Sequence, residues 1–386
     1  MKQIYYVIQT LLRGRGSNII KVLSLGLALT MSILLFVRVV FEQSYDTCYR
    51  DLDRIYQLFS IFTINGEQGE PSELNLPPVA GAVLENFPQE VEAAVSVCKY
   101  MAFGPLYNGS VRFKDYAVMA DSLFFQTLGI EVLRGDPLHE LQQKDVVFLS
   151  DRLAQKMFDD EDPVGKVINY DKQLQLTVKG IYAALPENST MNPEAVISIV
   201  SAWSRDWAEY SWEGGDSFFQ YIRFRPGVKV DVEKFNARLE TVIHNYLPQD
   251  GKDNSSYTSI VKPLRDVYRS GDMVKRMNAI TLILGLAILF IAAMNYVLIS
   301  ISSLSYRAKA VGVHKCNGAS GGTVFSMFLL ETGIVILLSL ILMVLLLLNF
   351  REMIEETMEV QLTSLFVFGR IWVPLVVVLG LFIVGG

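Results

Sequence analysis

The sequence predicts an α-helical membrane protein with four transmembrane helices, the last of them truncated, and a large extracytoplasmic α+β domain. Three observations predict this fold class. Four nearly continuous apolar segments occur, one near the N-terminus and three close together in the C-terminal part. A long and mostly polar stretch, residues 42–278, separates the first from the second. Within it, short β-rich runs alternate with helical ones, as in layered domains of strands and helices.

The apolar segments have the length that a bilayer requires. They are residues 19–41, 279–302, 323–350 and 371–386. A helix needs about 20 apolar residues to cross a hydrocarbon core of about 30 Å. The first three reach that length, whereas the fourth stops at Gly386 and is interpreted as an incomplete span. The first is too long for the apolar part of a signal peptide, so we expect an uncleaved anchor.

Charged residues beside the spans predict their orientation. Residues 1–18 and the connection 303–322 contain basic side chains and no acidic ones. Because basic residues accumulate on the cytoplasmic side of membrane spans, both segments are predicted to be cytoplasmic. The alternation then places residues 42–278 and the loop 351–370 on the other side of the membrane.

Residues 1–18 are predicted to form a short cytoplasmic amphipathic helix. Apolar side chains recur at helical spacing between Ile4 and Leu12, and the basic segment Arg13 to Gly16 follows. A helix of this kind lies in the plane of the membrane surface, with its apolar face against the acyl chains.

The large polar stretch is predicted to contain two α/β subdomains. One comprises approximately residues 42–112 with 216–278, and the other residues 113–215. Their predicted helices and strands alternate along the chain. The helical runs are 78–86, 121–128 and 150–158, and the β-rich runs are 146–149, 174–181 and 219–224.

Residues 219–246 of this domain predict a specific local fold. The β-rich run 219–224 is followed by a turn at Pro226 and Gly227. Residues 232–246 then place their apolar side chains on one helical face. The sequence therefore predicts a strand, a turn and a helix that packs on a sheet.

The motifs typical of catalysis and of metal sites are missing from this sequence, which favours a non-enzyme. The nucleotide-binding phosphate loop and the paired cysteine and histidine motifs of zinc sites do not occur. The histidines, His139, His244 and His314, are far apart in the sequence. We therefore predict no catalytic, cofactor-binding or metal-binding residues. An external Cys48–Cys98 disulfide is an alternative that the sequence leaves open.

Two polar residues are predicted to lie inside the membrane, Asn295 and Glu331. Glu331 is roughly 12 Å from the start of the third span, at a rise of 1.5 Å per residue. A carboxylate at this depth is costly unless it is protonated or has a partner in a helix bundle, and Asn295 of the second span is a candidate partner. Two roles are open: a hydrogen bond that fixes helix packing, or conformational coupling. Arg38, near the outer end of the first span, is predicted to anchor that end at the interface.

The cytoplasmic connection 303–322 is the second candidate site. Residues 306–315 can form a short basic helix, and a glycine-rich break follows at 317–322. The basic residues alone are explained as a topology signal. The valines between them, Val311 and Val313, are better explained by a surface on which a partner docks.

Several of these segments resemble the FtsX-type permease domain of MacB-like ABC transporters. The segments that carry the resemblance are Ala293–Val297, Arg307–Val313, Gly318–Ser320 and Phe328–Glu331. The polar stretch resembles the periplasmic core domain of the same family. The segments concerned are Tyr45–Asp46, Asp53–Tyr56, Phe124–Phe125, Leu133–Pro137, Leu149–Asp151, Asp162–Lys166, Val178–Gly180 and Leu185–Ser189. Together they cover nearly the whole chain in order.

The resemblance implies a permease subunit of the mechanotransmitting type in the bacterial inner membrane, with its large domain in the periplasm. A separate ABC ATPase subunit would bind and hydrolyse ATP, and the periplasmic domain would move to export or extract peptides, lipoproteins or small amphiphiles. The implied partners are that ATPase, membrane lipid, a second permease copy or second half, and a periplasmic adaptor or outer-membrane factor. No nucleic acid is expected, since no basic stripe occurs.

By position, the resemblance also assigns an ATPase-coupling surface within residues 303–322. Its residues are Arg307, Lys309, Val311, Gly312, His314, Lys315 and Gly318. Asn295 and Glu331 would be the intramembrane polar positions of the family. If the chain is half of a longer protein, a pseudo-dimer would replace the homodimer.

A different class of protein is the alternative. The chain could be a membrane-anchored receptor or a cell-envelope scaffold with an external sensing domain and no transport. The absence of a cytoplasmic signalling domain in this sequence disfavours it, since a receptor normally needs one to relay its signal. An enzyme with an external catalytic domain is a third and weaker reading.

Overall fold

The computed structural model describes residues 15–102, 104–114, 116–172, 174–213, 215, 217–247, 255–302, 308, 311–313, 315–316, 320–370 and 372–385. The chain divides into two units. The helical unit comprises the chain up to Ser44 together with the chain from Asp272 onward, and the sheet unit is Tyr45–Gly271.

Helices and strands are numbered separately in chain order. The helices are α1 (Arg15–Gln43), α2 (Val79–Asn86), α3 (Phe124–Leu128), α4 (Pro137–Glu140), α5 (Asp151–Phe158), α6 (Val200–Trp203), α7 (Val232–Tyr246), α8 (Leu264–Ser270), α9 (Asp272–Ser302), α10 (Gly321–Asn349), α11 (Arg351–Met358), α12 (Leu362–Leu365) and α13 (Trp372–Gly385). The strands are β1 (Ile55–Ile64), β2 (Glu67–Gln68), β3 (Leu74–Asn75), β4 (Val91–Cys98), β5 (Leu106–Asn108), β6 (Val111–Phe113), β7 (Ala117–Ala120), β8 (Val132–Arg134), β9 (Val146–Ser150), β10 (Val167–Tyr170), β11 (Leu174–Tyr182), β12 (Ala195–Ser198), β13 (Phe218–Phe224) and β14 (Ser255–Pro263).

Three helices of the described chain are long and apolar enough to cross a membrane. They lie at Asn18–Gln43 in α1, Asp272–Ser302 in α9 and Gly321–Asn349 in α10. They contain nearly all of the three complete spans that the sequence predicts, although α9 begins at Asp272 rather than at 279. The fourth predicted span coincides with α13, which has 14 residues and is too short to cross about 30 Å of hydrocarbon. The described chain therefore has three helices of spanning length, and the incomplete fourth span stays a prediction.

The remaining parts of the helical unit differ in how far the structure describes them. The predicted amphipathic helix of residues 1–18 lies mostly outside the described residues, and α1 begins at Arg15. The predicted loop 351–370 is largely structured, since it contains α11, α12 and a 3-10 turn at Phe368–Arg370.

Helix α1 packs against both α9 and α10, and glycines permit the close approach. A Cβ atom at Gly26 would lie 2.7 Å from Leu342 of α10, and one at Gly285 of α9 would lie 2.7 Å from Phe36 of α1. Small residues at such crossings let helix backbones come together, which supplies the packing contacts that hold helices in lipid. The other faces of the three helices expose leucine, isoleucine and valine, as lipid contact requires.

The sheet unit is built on one long mixed sheet. Its strand order is β14-β1-β13-β4-β7-β12-β9-β11-β10-β5-β6, and β2, β3 and β8 pair at its sides. Strands β9 and β11 are parallel, as are β7 and β12, and the other pairs of described strands are antiparallel. The last two strands in the sequence, β13 and β14, lie on either side of β1.

The first part of the sheet, from β14 to β4, is covered by α2 and α7. Helix α7 spans the predicted residues 232–246, and the Asp231 side chain caps it by accepting a hydrogen bond from the Lys234 amide. Its apolar face buries Phe235, Leu239 and Ile243 against the sheet. Burial of such large side chains supplies most of the stabilisation of a helix in a protein.

The second part of the sheet, from β7 to β6, includes the hairpin β5–β6. The hairpin pairs with β10 through Leu106 and Tyr107 and so lies at the far edge. The predicted boundary between the two subdomains, at residues 112 and 113, falls inside β6. The division into subdomains stays a prediction.

Gly180 in β11 allows a close approach between strands. The register of β11 against β9 shifts between Val178 and Gly180. A Cβ atom at Gly180 would lie 2.5 Å from the Arg134 carbonyl oxygen and would also collide with the Phe148 ring. Both neighbours are held in place, one by the backbone and the other by the core.

We therefore expect Gly180→Ala to destabilise the sheet unit by about 2 kcal/mol or more, as overpacking of a core does. The measurement is thermal unfolding of the full chain in lipid nanodiscs. Gly215→Ala is the matched control, because its Cβ atom would meet nothing closer than the Ser217 hydroxyl at 3.9 Å. Equal melting temperatures for the two variants would contradict the close packing inferred at Gly180.

Candidate functional site

Four polar side chains from three helices meet inside the helical unit. Lys21 of α1 has its Nζ atom 4.0 Å from Oε1 of Glu331 in α10. The same Nζ atom lies over the ring of Tyr296 in α9, 5.4 Å from its centroid. The Tyr296 hydroxyl donates a hydrogen bond of 2.9 Å to Oγ1 of Thr332. These four residues, Lys21, Tyr296, Glu331 and Thr332, are called the polar cluster.

Helical periodicity explains why these side chains face one another. On α1, Leu25 and Leu29 follow Lys21 at intervals of four residues, and all three are almost fully buried. On α10, Glu331 begins a buried stripe that continues through Val335 and Ser339. Residues four apart lie on one helical face, so Lys21 and Glu331 each lie on the buried face of their helix.

The geometry makes the Lys21–Glu331 pair electrostatically significant. Lys21 is 1% exposed and Glu331 is 9% exposed, so neither charge reaches bulk solvent freely. Isolated charges at membrane depth are strongly unfavourable, and ionisable residues there pair with each other in the bundle interior. The attraction is larger in a medium of low dielectric constant than in water. Each charge therefore depends on the other more than a surface pair would.

The sequence predicted Glu331 but not its partner. Lys21 stands within the apolar run 19–41, and its position close to the start of that run was the available signal. Asn295, the predicted candidate, is partly buried, and its side chain makes no hydrogen bond to another described residue. Its neighbour Tyr296 contacts Lys21 and Thr332, and Lys21 is the residue that pairs with Glu331. A role for Asn295 as an intramembrane polar residue stays a prediction.

The predicted ATPase-coupling surface is described only in part. Val311, Gly312 and Lys315 are in helical conformation, and Gly312 and Lys315 are exposed. The other four predicted residues, Arg307, Lys309, His314 and Gly318, lie outside the described residues. After this segment, Ser320 caps α10 by accepting a hydrogen bond from the Thr323 amide. The coupling role of the segment stays a prediction.

At the opposite end of α1, two arginines hold the connection between α10 and α13. Arg38 pairs with Glu42 at 2.6 Å and donates a hydrogen bond of 3.0 Å to the Met358 carbonyl. Arg370 donates one of 2.8 Å to the Ser44 hydroxyl. The Phe41 ring contacts both guanidinium groups, at 5.4 Å and 4.9 Å from its centroid. Arg38 thus joins two parts of the helical unit, beyond the anchoring role predicted for it.

In the sheet unit, two segments behind the resemblance contact each other. The Asp46 carboxylate accepts hydrogen bonds of 2.7 Å from both the amide and the hydroxyl of Thr190. The Tyr49 hydroxyl lies 2.7 Å from the Ser189 hydroxyl and donates to the Met191 carbonyl. Burial raises the pKa of the Asp46 carboxyl, although the bonds from Thr190 oppose this. The start of the unit is thereby fixed to a loop distant in sequence.

A buried arginine, Arg223 of β13, connects three further segments. It donates hydrogen bonds to the Thr127 carbonyl at 3.1 Å and to the Arg50 carbonyl at 2.7 Å. Burial lowers the pKa of its guanidinium. Nearby, Arg54 pairs with Asp51 at 2.6 Å and with Glu92 at 2.7 Å. Arg54, which belongs to the segment Asp53–Tyr56 of the resemblance, therefore has a structural role at this junction.

Metal and disulfide chemistry were also considered. In the part of the chain that the structure describes, no group of three or more histidine, cysteine or acidic residues could hold a metal ion. Cys48 and Cys98 are both free thiols and do not form the disulfide that the sequence left open.

Comparison with known proteins gives similarities of structure. No protein-family model and no curated protein matches the sequence. A domain of a proposed permease protein from Porphyromonas gingivalis is 21% identical, with a TM-score of 0.48, over 56% of this chain and 92% of that chain. The periplasmic region of MacB from Actinobacillus actinomycetemcomitans is 16% identical, with a TM-score of 0.37, over 55% and 91%.

A third structure comes from Gram-positive bacteria. The extracellular domain of the noncanonic ABC-type transporter YknZ from Gram-positive bacteria is 11% identical, with a TM-score of 0.38, over 54% of this chain and 99% of that domain. Each of the three similarities covers a little more than half of this chain.

Proposed function

We propose that the chain is the permease subunit of a mechanotransmitting ABC transporter in the bacterial inner membrane. ATP hydrolysis by a separate ATPase subunit would move the helices, and the sheet unit in the periplasm would respond. The ordered sequence motifs support this proposal, and so does the chain layout, in which the sheet unit is inserted between α1 and α9. The observation that carries it furthest is the polar cluster.

The polar cluster joins the helices that such a mechanism must couple. Helix α1 precedes the sheet unit in the chain, α9 follows it, and α10 follows the basic connection 303–322. A displacement of α10 against α1 changes the 4.0 Å distance between Lys21 and Glu331. Because this pair lies in a medium of low dielectric constant, two helix arrangements that differ there also differ in energy. A bistable element of this kind is what an ATP-driven switch requires.

The cargo would be a molecule already outside the cytoplasm. The largest folded part of the chain is the sheet unit, Tyr45–Gly271, which the orientation of the spans places outside the cytoplasm. We propose that this unit acts on peptides, lipoproteins or small amphiphiles, in a dimer of permease units, with an adaptor or outer-membrane factor as an additional partner.

The test is capture of the ATPase. Arg307→Glu combined with Lys309→Glu reverses the basic charge of the predicted coupling surface, so we expect at least a tenfold loss of ATPase in pull-downs from membranes. Like charges placed opposite each other disfavour association by several kcal/mol. Lys156→Glu combined with Lys172→Glu, at exposed positions of the sheet unit, is the matched control.

The control variant should capture the ATPase as the unmodified chain does. If the variant at 307 and 309 retained full ATPase capture and transport, the coupling assignment would be wrong. If no ATPase were captured by the unmodified chain, the receptor or scaffold alternative would replace the transporter.

A further inference from the structure

The sheet unit contains an open cleft of about 800 Å³ between its two parts. Helix α2 and strand β4 form one wall, and the chain from Trp203 to Tyr210 forms the opposite one. The volume lies within the range of small-molecule sites, which is roughly 300–1,000 Å³. None of the motifs behind the proposed function accounts for this space.

The apolar part of the cleft has a defined shape. Leu84 and Ala94 contribute aliphatic surface, and the rings of Trp203 and Tyr210 meet edge to face, 5.3 Å apart between centroids. The Tyr210 hydroxyl lies against α2 where Gly81 has no side chain, since a Cβ atom there would be 2.6 Å from it. The two rings therefore stand as a corner beside the helix, with part of their surface open.

The charged part of the cleft has one sign. Asp121, Asp206 and Glu209 line it, and none of the described lining residues is a lysine, an arginine or a histidine. Asp121 accepts hydrogen bonds from the Ser96 amide at 3.0 Å and the Leu123 amide at 2.9 Å, so its orientation is fixed. Burial raises the pKa of its carboxyl to about 6, which still leaves it mainly ionised at neutral pH.

Aromatic faces beside carboxylates select a particular chemistry. The face of an aromatic ring attracts a cation, and this attraction increases when water is excluded. Carboxylates attract the same charge and repel anions. Apolar walls favour a hydrocarbon or aromatic body over a bare metal ion.

We propose that this cleft binds an organic cation, namely an ammonium group carried on a hydrocarbon or aromatic body. The ammonium group would lie between the carboxylates and the corner formed by Trp203 and Tyr210, and the apolar body would lie along α2 and β4. As a statement about cargo, the proposal rests on the proposed function. As a statement about binding it does not, because binding requires neither ATP nor an ATPase.

The experiment measures binding to the full chain in lipid nanodiscs by isothermal titration calorimetry. The probe is hexyltrimethylammonium, and hexanesulfonate is the anionic probe of the same chain length. Titration of empty nanodiscs gives the contribution of the bilayer, which is subtracted. We expect saturable binding of the cation and no saturable binding of the anion.

Two variants locate the site. Glu209→Lys places a cation at the exposed rim of the cleft, and we expect it to weaken binding about tenfold. Tyr210→Ala removes one face of the aromatic corner, and we expect a loss of threefold or more. Glu213→Lys is the matched control, since this exposed residue follows the segment 203–210 closely and does not line the cleft.

Each outcome bears on the proposal. Binding of the cation that Glu209→Lys weakens and Glu213→Lys leaves unchanged supports it. Equal binding of hexanesulfonate, equal weakening by both lysine variants, or heat no greater than that of empty nanodiscs overturns it. Failure of the unmodified chain to capture an ATPase, together with saturable cation binding, would refute the proposed function alone, so the two can fail separately.

Discussion

Replacement of Lys21 by methionine is expected to destabilise the helical unit by about 3–5 kcal/mol, which is the usual effect of breaking a buried ion pair by removing one partner. The ammonium group 4.0 Å from Glu331 would be lost, while the carboxylate would remain 9% exposed in the bundle. The ring of Tyr296 would also lose the cation beside it. The measurement is thermal unfolding in nanodiscs, together with ATPase activity of the reconstituted complex.

A second variant separates charge from packing. Lys21→Met combined with Glu331→Leu removes both charges, and we expect it to recover most of the stability, because apolar replacements of whole buried pairs are often neutral or better. If the pair serves coupling, this stable double variant should still lose the dependence of transport on ATP. Lys275→Met, at an exposed position of α9, is the matched control and should change stability by less than about 0.5 kcal/mol.

Two outcomes would contradict the role given to the Lys21–Glu331 pair. A Lys21→Met variant as stable as the unmodified chain would show that the charges do not depend on each other. A double variant with normal transport would confine the pair to a structural role and leave the coupling proposal without its main support.

The second large effect is expected at Arg223. Arg223→Met removes the donor to the carbonyls of Thr127 and Arg50 and leaves both oxygens near an apolar side chain. An unsatisfied buried acceptor costs about 1–3 kcal/mol. We therefore expect a loss of roughly 3–5 kcal/mol in the free energy of unfolding of the sheet unit, measured by chemical unfolding followed by tryptophan fluorescence.

A neighbouring arginine provides the control. Arg225 is exposed and donates one hydrogen bond of 2.9 Å to the Pro88 carbonyl. Because water can replace that donor, Arg225→Met should cost about 1 kcal/mol or less. If the two variants unfolded at the same denaturant concentration, burial of Arg223 would not make its hydrogen bonds more important for stability than that of Arg225.

The sequence predicted what depends on length and local pattern. The three long spans follow from the lengths of apolar runs, and α7 follows from the helical spacing of its apolar residues. Glu331 was recognisable because a carboxylate in an apolar run is unusual. Lys21 was missed because a single lysine near the start of a run scarcely changes its average hydropathy. The contact between the two charges depends on how α1 and α10 cross.

The features that were not predicted depend on distant contacts. Strand β13 is buried along its whole length, so a solvent-facing alternation that could single out Arg223 is missing. The position of the hairpin β5–β6 beside β10 cannot be read from either segment alone. The cleft arises between α2 and the segment 203–210, which are far apart in the chain. Such features depend on the order of strands, and local propensity does not determine that order.

The position of β1 has a consequence for biosynthesis. Its two long neighbours are β13 and β14, which end at Phe224 and Pro263, while β1 itself ends at Ile64. At about 5–20 residues per second, a ribosome needs roughly 10–40 s to make the intervening chain. During that time β1, which is largely apolar, is not yet paired with both β13 and β14. Strand β1, which follows the first long apolar helix, is therefore synthesised early but paired on both sides only late. A nascent chain released before Pro263 would leave β1 exposed to aggregation.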